Sequence, residues 1–424
     1  MLIAPLSYGA LSATSANTIK GHAPWFTGQS GAKKLGFIVN GTSYSESLGN
    51  LSATNNNLFD AGLTPGDFQI TSLTASDFTI ANDYEDVDGD GASNTPFTMD
   101  AMTYVWKDGT NRTLTTADMS RTIGCGGGLS LPLTLTITIP NVQVHSKYGD
   151  PKDSDQTVLE RNYKITTLQG ICYVRPGSLD WVNYAGTGAT RSPTQGGGYT
   201  ADFVPLKGFK ANPTVSSVKF PTTGFPKARF QLWMTGLQTD WNYNVITNPN
   251  SAAEVDTNGW VTLNNKPTGP ITVRATSYYS SNTYFDYTFN LTLWVVPTST
   301  AMDYVTAKTA SGCGDESKIP SREQLTNSPL SRLPAGGTIV HNASTRAIGK
   351  LEIGGGAEPM KESIFSEWGM TSSGSYPGSQ WHYQGHFWTR DPYSFGDQFL
   401  LHSLGSVSYY FSTPGGLTGV VCLG

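Results

Sequence analysis

The sequence predicts a mainly β protein built from several sandwich-like modules. Three observations carry that expectation. Apolar and polar residues alternate strictly along several stretches, and helical periodicity is nearly absent. Turn formers are abundant, with 47 Gly and 24 Pro in 424 residues, roughly a sixth of the chain against about 12% in average proteins.

Alternation with period two is what a half-buried strand requires, because successive side chains leave opposite faces of the sheet. Leu133, Leu135, Ile137 and Ile139 alternate with Thr134, Thr136 and Thr138. Tyr287, Phe289, Leu291, Leu293 and Val295 alternate with Thr288, Asn290 and Thr292, predicting one strand through that stretch. Shorter runs at Leu35–Val39, Phe230–Trp233 and Trp260–Leu263 read the same way. Two helices are expected. One begins at the capping box Ser321-Arg-Glu-Gln324 after Pro320, and the other is Lys361–Trp368, with Ile364, Phe365 and Trp368 at helical spacing.

A chain of 424 residues holds more than one domain. The polar, Pro- and Gly-bearing stretch His145–Thr157 reads as a linker, Pro297–Ala310 as a composition break, and Pro213–Gly224 as a softer junction. The expected division is a tail over 1–19, an Ig-like β-sandwich over 20–147, and a linker plus β segment over 148–217. An Ig-like module over 218–297 and a terminal domain over 298–424 complete it. Leu2–Ala13 reads either as the remnant of a secretory signal or as a disordered tail.

Net charge is −5 with a pI near 5.7, so no nucleic-acid partner is expected: phosphate binding lacks its electrostatic basis. No apolar stretch reaches the roughly 18 residues of a membrane helix. Four cysteines in a turn-rich chain of low charge fit an oxidising compartment. They allow three connectivities, of which the local pairing Cys125–Cys172 with Cys313–Cys422 is favoured.

The chemistry-bearing motifs are few. Asp86-Val-Asp88-Gly-Asp90-Gly91 matches the opening of a calcium loop, where alternating carboxylates converge on one cation. The match fails where Phe97 stands in place of the twelfth-position Glu, so a solvated acidic turn competes with calcium, and no other cofactor is expected. His382 and His386 have the H-x3-H spacing of a zinc pair, but Gly385 and the aromatic neighbours argue for strand or loop. No G-x-S-x-G elbow, P-loop or G-x-G-x-x-G is present, and nothing in the sequence asks for an enzyme. Aromatic residues crowd the last third: Trp368, Trp381, Trp388, Tyr376, Tyr383, Tyr393, Tyr409 and Tyr410. Trp368 and Trp388 are expected in the core. Others are expected as contact anchors, because large rigid rings bury area at low entropic cost.

Ser366-Glu-Trp-Gly369, Phe387-Trp-Thr389 and the closing Val420-Val-Cys422 resemble the C-type-lectin-like domain that ends intimin- and invasin-type adhesins. Phe220-Pro-Thr-Thr-Gly-Phe225, Ala228-Arg-Phe230 and Val255–Thr262 resemble the bacterial Ig-like domain that precedes it. Asp86–Asp90, with Tyr104-Val-Trp106 and Leu114–Asp118, is similar to another bacterial Ig-like repeat. The resemblance covers 220–424 well, 20–147 loosely and 155–217 hardly at all. It implies tandem Ig-like sandwiches followed by a C-terminal α+β C-type-lectin-like domain, closed by Cys313 and Cys422. Sugar-binding lectins of that fold carry Glu-Pro-Asn and Trp-Asn-Asp. This chain has Glu358-Pro-Met360 and Trp388-Thr-Arg390, which points away from calcium-dependent sugar binding. The resemblance implies instead a non-catalytic binding protein, extracellular or on the surface of a Gram-negative bacterium. It would recognise a host-cell or bacterial surface protein and be exported by a separate intimin-like outer-membrane barrel. Trp381, His382, Tyr383, Arg390, Asp391 and Tyr393 are its expected contacts. A calcium-dependent lectin and a secreted metal-dependent hydrolase are the alternatives.

Overall fold

The computed structural model describes residues 20–182, 196–329, 343–349, 363–381, 385–394, 397–411 and 417–424. Leu2–Ala13, His382, Tyr383 and Glu358–Met360 lie outside them. Strands dominate, as the alternation requires, and the chain packs as two compact units. Unit 1 takes Met1–Ile123 and Leu129–Thr167; unit 2 takes Gly124–Gly128 and Leu168–Gly424.

In unit 1 the strands are Trp25–Phe26 (β1), Gly36–Val39 (β2), Thr42–Ser45 (β3), Asn56–Leu58 (β4) and Gln69–Ile70 (β5), then Tyr84–Glu85 (β6), Ala92–Met99 (β7), Thr103–Lys107 (β8), Leu133–Ser146 (β9) and Thr157–Thr166 (β10). The short helices Gln29–Ala32 (α1) and Ile80–Asp83 (α2) flank β1 and β6. β9 is the spine: it pairs with β10, β7 and β8, while β2 joins β3 and β5 in a three-stranded sheet. Leu133, Leu135, Ile137 and Ile139 are all fully buried, each contributing roughly 1.5–3 kcal/mol by leaving water. The inward set then skips to Val142, and the β10 ladder shifts register between Thr157 and Leu159, the signature of a bulge. Phe37, Phe68 and Trp106 complete this core.

The stretch His145–Thr157 is the hairpin between β9 and β10 rather than a linker between domains. Its polar residues serve a tight turn, in which Ser146 N–H donates to Lys152 O (2.9 Å) and Ser154 N–H to Val144 O (3.0 Å). The expected segment 148–217 is therefore divided. Residues up to Thr167 complete unit 1, because β10 pairs along most of β9.

Unit 2 begins with Ile171–Pro176 (β11), Phe203–Val204 (β12), Gly208–Lys210 (β13), Thr223–Gly224 (β14) and Ala228–Met234 (β15). Trp241–Thr247 (β16), Ala253–Val255 (β17), Trp260–Leu263 (β18), Ile271–Ser277 (β19) and Ser280–Phe289 (β20) follow. One sheet runs β12-β13-β11-β15-β18-β17 and a second runs β16-β19-β20. Phe230, Leu232 and Val261 of the first share a core with Trp241, Val273 and Phe289 of the second, which makes the pair a sandwich. The two disulfides join Cys125 to Cys172 and Cys313 to Cys422, the pairing favoured from the sequence.

The single strand expected over Tyr287–Val295 is two. After β20 the chain leaves its sheet, Thr292 N–H donates to Thr222 O (2.7 Å), and a new strand Leu293–Met302 (β21) begins beside β14. Alternation cannot reveal such a switch, because Tyr287 and Phe289 of β20 and Val295 and Pro297 of β21 are buried at one parity on either side of it. β21 also runs through the expected break at Pro297. There the partner strand Thr418–Leu423 (β25) supplies Val421 opposite the proline. His386–Ser394 (β22), Asp397–His402 (β23) and Val407–Phe411 (β24) extend this sheet in the order β14-β21-β25-β22-β23-β24. Three short helices accompany it: Tyr304–Ala307 (α3), Arg322–Leu325 (α4) and Ile364–Trp368 (α5). The capping box is present at α4, where Gln324 Oε1 accepts from Ser321 N (2.8 Å) and Ser321 Oγ from Gln324 N (3.4 Å). One core cluster spans both the sandwich and the terminal segment, and a smaller one, with Met302, Tyr304, Trp388 and Val420, lies within the terminal segment.

Candidate recognition surface

The terminal segment is fastened to the sandwich by a buried polar joint. Glu367 on α5 is fully buried, and a buried carboxylate is tolerated only when its oxygens are met by donors. Oε1 accepts from Thr222 Oγ1 (2.7 Å) and Gly349 N (3.2 Å), and Oε2 from Thr223 N (2.9 Å) and Thr223 Oγ1 (2.7 Å). Thr222 N is shared between the two oxygens at 3.1 and 3.0 Å. Burial pushes this carboxyl above its ordinary value, and the threonine donors pull it part of the way back. Next in sequence, Trp368 donates its Nε1–H to Thr223 O (3.1 Å) and packs on Phe220 and Phe225.

Arg346, also buried, donates to Ser178 O (3.2 Å), Asp180 O (2.8 Å) and Glu367 O (2.9 Å). Its guanidinium lies 4.5 Å from the Phe203 ring centre. Burial lowers its pKa to about 10, which leaves it charged at neutral pH. Gly369 has φ of +68°, and a Cβ there would stand 1.8 Å from Arg346 Nη1, so only glycine closes this helix. The motifs Phe220–Phe225 and Ser366–Gly369, which carried the resemblance, are thus each other's partners. Nothing in a linear sequence joins residues about 145 positions apart. Arg346 carried no sequence signal at all.

The outward side of the terminal segment is set by β22. Phe387, Trp388 and Thr389 are buried while Arg390 is exposed. Trp388 donates its Nε1–H to Met302 O (2.8 Å) and packs on Tyr304, and Thr389 Oγ1 donates to Phe399 O (3.0 Å). Arg390 is steadied by its Nη1 donating to Ser317 O (3.2 Å). Asp391 is half-buried and accepts the Arg322 N–H at the start of α4 (2.6 Å), so it caps a helix. Tyr393 is 40% exposed, with its ring edge-on to Phe399 at 5.2 Å.

Trp381 corrects the expected contact set. It is buried, at 2% exposure, among Phe225, Phe365 and Phe387 with ring centres 5.0–5.9 Å away. The apolar ring fills the joint instead of meeting a ligand. Of the expected contacts, Arg390 and Tyr393 stand on the surface, and His382 and Tyr383 lie outside the described residues.

His386 faces His402 across the β22–β23 ladder, with ring centres 5.2 Å apart. Burial, and then His386, hold the His402 pKa below its ordinary value, and its Nδ1 accepts the Leu404 N–H (3.2 Å). The acidic turn of unit 1 is likewise occupied locally. Asp86 accepts from the Tyr84 hydroxyl (3.0 Å) and the Asp88 N–H (3.1 Å), while Asp88 pairs with His22 (3.2 Å). Among the described residues no group of three or more His, Cys, Asp or Glu is placed to hold a metal ion.

Comparison with known proteins gives one sequence match. Residues 207–289 match the family model of invasin domain 4, which bears out the resemblance to intimin- and invasin-type proteins over the sandwich. A search of curated proteins finds no match. Among solved structures the chain is similar to invasin, described as a bacterial integrin-binding protein, at 14% identity and a TM-score of 0.38. That alignment covers 77% of this chain and 58% of invasin. An intimin mutant from EHEC O157:H7 aligns at 15% identity and a TM-score of 0.32, over 53% of this chain and 93% of that one. Intimin in an intimin–Tir90 complex aligns at 16% identity and 0.31, over 51% and 91%.

Proposed function

We propose that this chain, which carries an invasin-type domain 4, is a non-catalytic, adhesin-type binding protein acting outside the cell or on its surface. Its ligand is a partner protein, held by the outward side of β22 with Arg390 and Tyr393 as anchors. The observation that carries this reading is the joint at Glu367. It mounts the terminal segment on the invasin-type sandwich through buried bonds, and this preorganises a surface for binding. The reading takes residues 298–424 as C-type-lectin-like and export as passing through a separate intimin-like barrel of a Gram-negative bacterium. The resemblance supports both.

Protein recognition is favoured over calcium-dependent sugar binding by the geometry at Trp388-Thr389-Arg390. Two of these side chains are turned into the core and the third is a cation, so this position offers no carboxylate to a metal. The test is adhesion of the intact protein to host cells and to sibling bacteria, with and without chelator. Arg390→Ala with Tyr393→Ala weakens adhesion by roughly tenfold or more, the cost of two interface anchors, and chelator has no effect. Unchanged adhesion of the double variant, or loss on chelation, would sink the reading.

A further inference from the structure

The outer face of the sheet β12-β13-β11-β15-β18-β17 carries a second set of groups that the proposed function does not use. Strand alternation turns Tyr173 and Arg175 of β11, Arg229 and Trp233 of β15, and Trp260 of β18 to this side, while Val174, Phe230, Leu232 and Val261 fill the core. The register sets Tyr173 opposite Trp233 and Gln231 opposite Trp260. Each ring has a cation over it. Arg175 lies 5.2 Å from the Trp233 centre, Lys207 5.5 Å from Tyr173, and Arg229 4.9 Å from Trp260.

Among the described residues these three cations have no acidic partner at ion-pair distance, and the buried Arg229 Nε has no hydrogen-bond acceptor. The other sheet of the same sandwich gives the contrast. There Arg274 also stacks on a ring, Tyr284 at 3.8 Å, but Asp286 neutralises it with two bonds of 2.7 and 2.8 Å. A stack needed only to hold two strands together is satisfied by that arrangement. The opposite face keeps the stacks, and among the described residues no acid is paired with any of them, in a chain whose net charge is −5. Glu254, in register with Thr262 on the edge strand β17, is the carboxylate at the rim of this face. The rings are also held in place: a Cβ on Gly126, beside the Cys125–Cys172 disulfide, would stand 2.9 Å from the Trp233 ring.

We infer that this face binds a linear anionic polysaccharide, its carboxylate or sulfate groups meeting the guanidinium edges of Arg175 and Arg229 and the Lys207 ammonium. The cations without an acidic partner supply the charge complementarity, and stacking on Trp233 and Trp260 holds the two guanidinium groups in place. Spread over β11, β15 and β18, the groups span two inter-strand steps of about 4.8 Å each, a flat row suited to an extended chain. Nucleic acid fits less well, because bases need open ring faces for stacking and these faces hold cations. A lipid surface needs projecting apolar anchors, and the three rings are only half-exposed.

The test is retention of the intact protein on immobilised heparin and on a uronate polymer, with neutral dextran as the control. Wild type binds both anionic polymers, elutes with salt and ignores dextran. Arg175→Gln with Arg229→Gln weakens binding by roughly tenfold, since each loses a charge-assisted contact, whereas Arg274→Gln on the other sheet leaves it unchanged. Should the double variant fold poorly by circular dichroism, Lys207→Gln, on the loop between β12 and β13, gives the same direction with a smaller loss. No retention of wild type on either polymer overturns the proposal, and so does equal retention of wild type and variants. Binding to anionic vesicles in place of the polymers overturns it too. Adhesion through Arg390 and Tyr393 is measured separately, so failure here leaves that reading intact.

Discussion

Glu367 stands among backbone amides and threonine hydroxyls, and its replacement by glutamine shows what the charge does there. The Gln side chain presents an NH2 where one oxygen now accepts, so donors face donors. Leaving buried N–H groups unmet costs about 1–3 kcal/mol, and urea denaturation of Glu367→Gln should show a loss of that size at neutral pH. Because burial raises the folded-state pKa above its usual value, the folded chain takes up this proton more readily than the unfolded one. The contribution of Glu367 therefore grows as pH falls from neutrality through the raised pKa, and levels off below the ordinary carboxylate value. The gap between wild type and Glu367→Gln should widen as pH falls from neutrality towards the ordinary carboxylate range; a gap that narrows contradicts the raised pKa. Trp381→Ala should cost about 3–5 kcal/mol by opening a cavity among Phe225, Phe365 and Phe387, read as a lowered melting temperature. Both residues stood in plain view in the sequence. What it withheld was their environment, because an aromatic side chain looks the same whether it faces a ligand or three phenylalanines.

Strands were the most legible elements, and β9 shows why. One face packs on a core and the other meets solvent, so selection for burial writes a period of two directly into the residues. Boundaries were less legible, for the opposite reason. The polar hairpin after β9 and the proline within β21 carry the same composition as linkers. Only the pairing partners, distant in sequence, distinguish the two cases. The cysteine pairing was readable and has a measurable consequence. Cys313 and Cys422 close a separation of 109 residues, so Cys313→Ser should destabilise unit 2 by about 5 kcal/mol on chain-entropy grounds. Cys125→Ser, across a separation of 47, should cost about 4 kcal/mol by the same relation. Denaturant midpoints with and without reductant should reproduce both losses in the wild-type chain.

Across the whole molecule, the core rather than the module count decides what unfolds together. One cluster joins Phe220, Phe225 and Phe230 of the sandwich to Trp368, Trp381 and Val421 of the terminal segment, while unit 1 has its own core. Calorimetry should therefore resolve two cooperative transitions, and a fragment ending at Pro297 should aggregate, having lost much of the lining of its core. Two well-separated transitions within unit 2 would contradict this. β21 gives the joint a further property. It runs from its parallel contact with β14 at Leu293 to its antiparallel ladder with β25 at Met302, and β25 touches β22 at Gly419. A tug applied at β22 reaches β25 at the Phe387–Gly419 pair and passes from there to the β21–β25 ladder, whose bonds share the load. Cys422, on β25 and tied to Cys313, keeps that strand from sliding free. Under tension the lifetime of a domain follows its unfolding rate rather than its equilibrium stability, so reducing the Cys313–Cys422 bond should shorten that lifetime in single-molecule pulling.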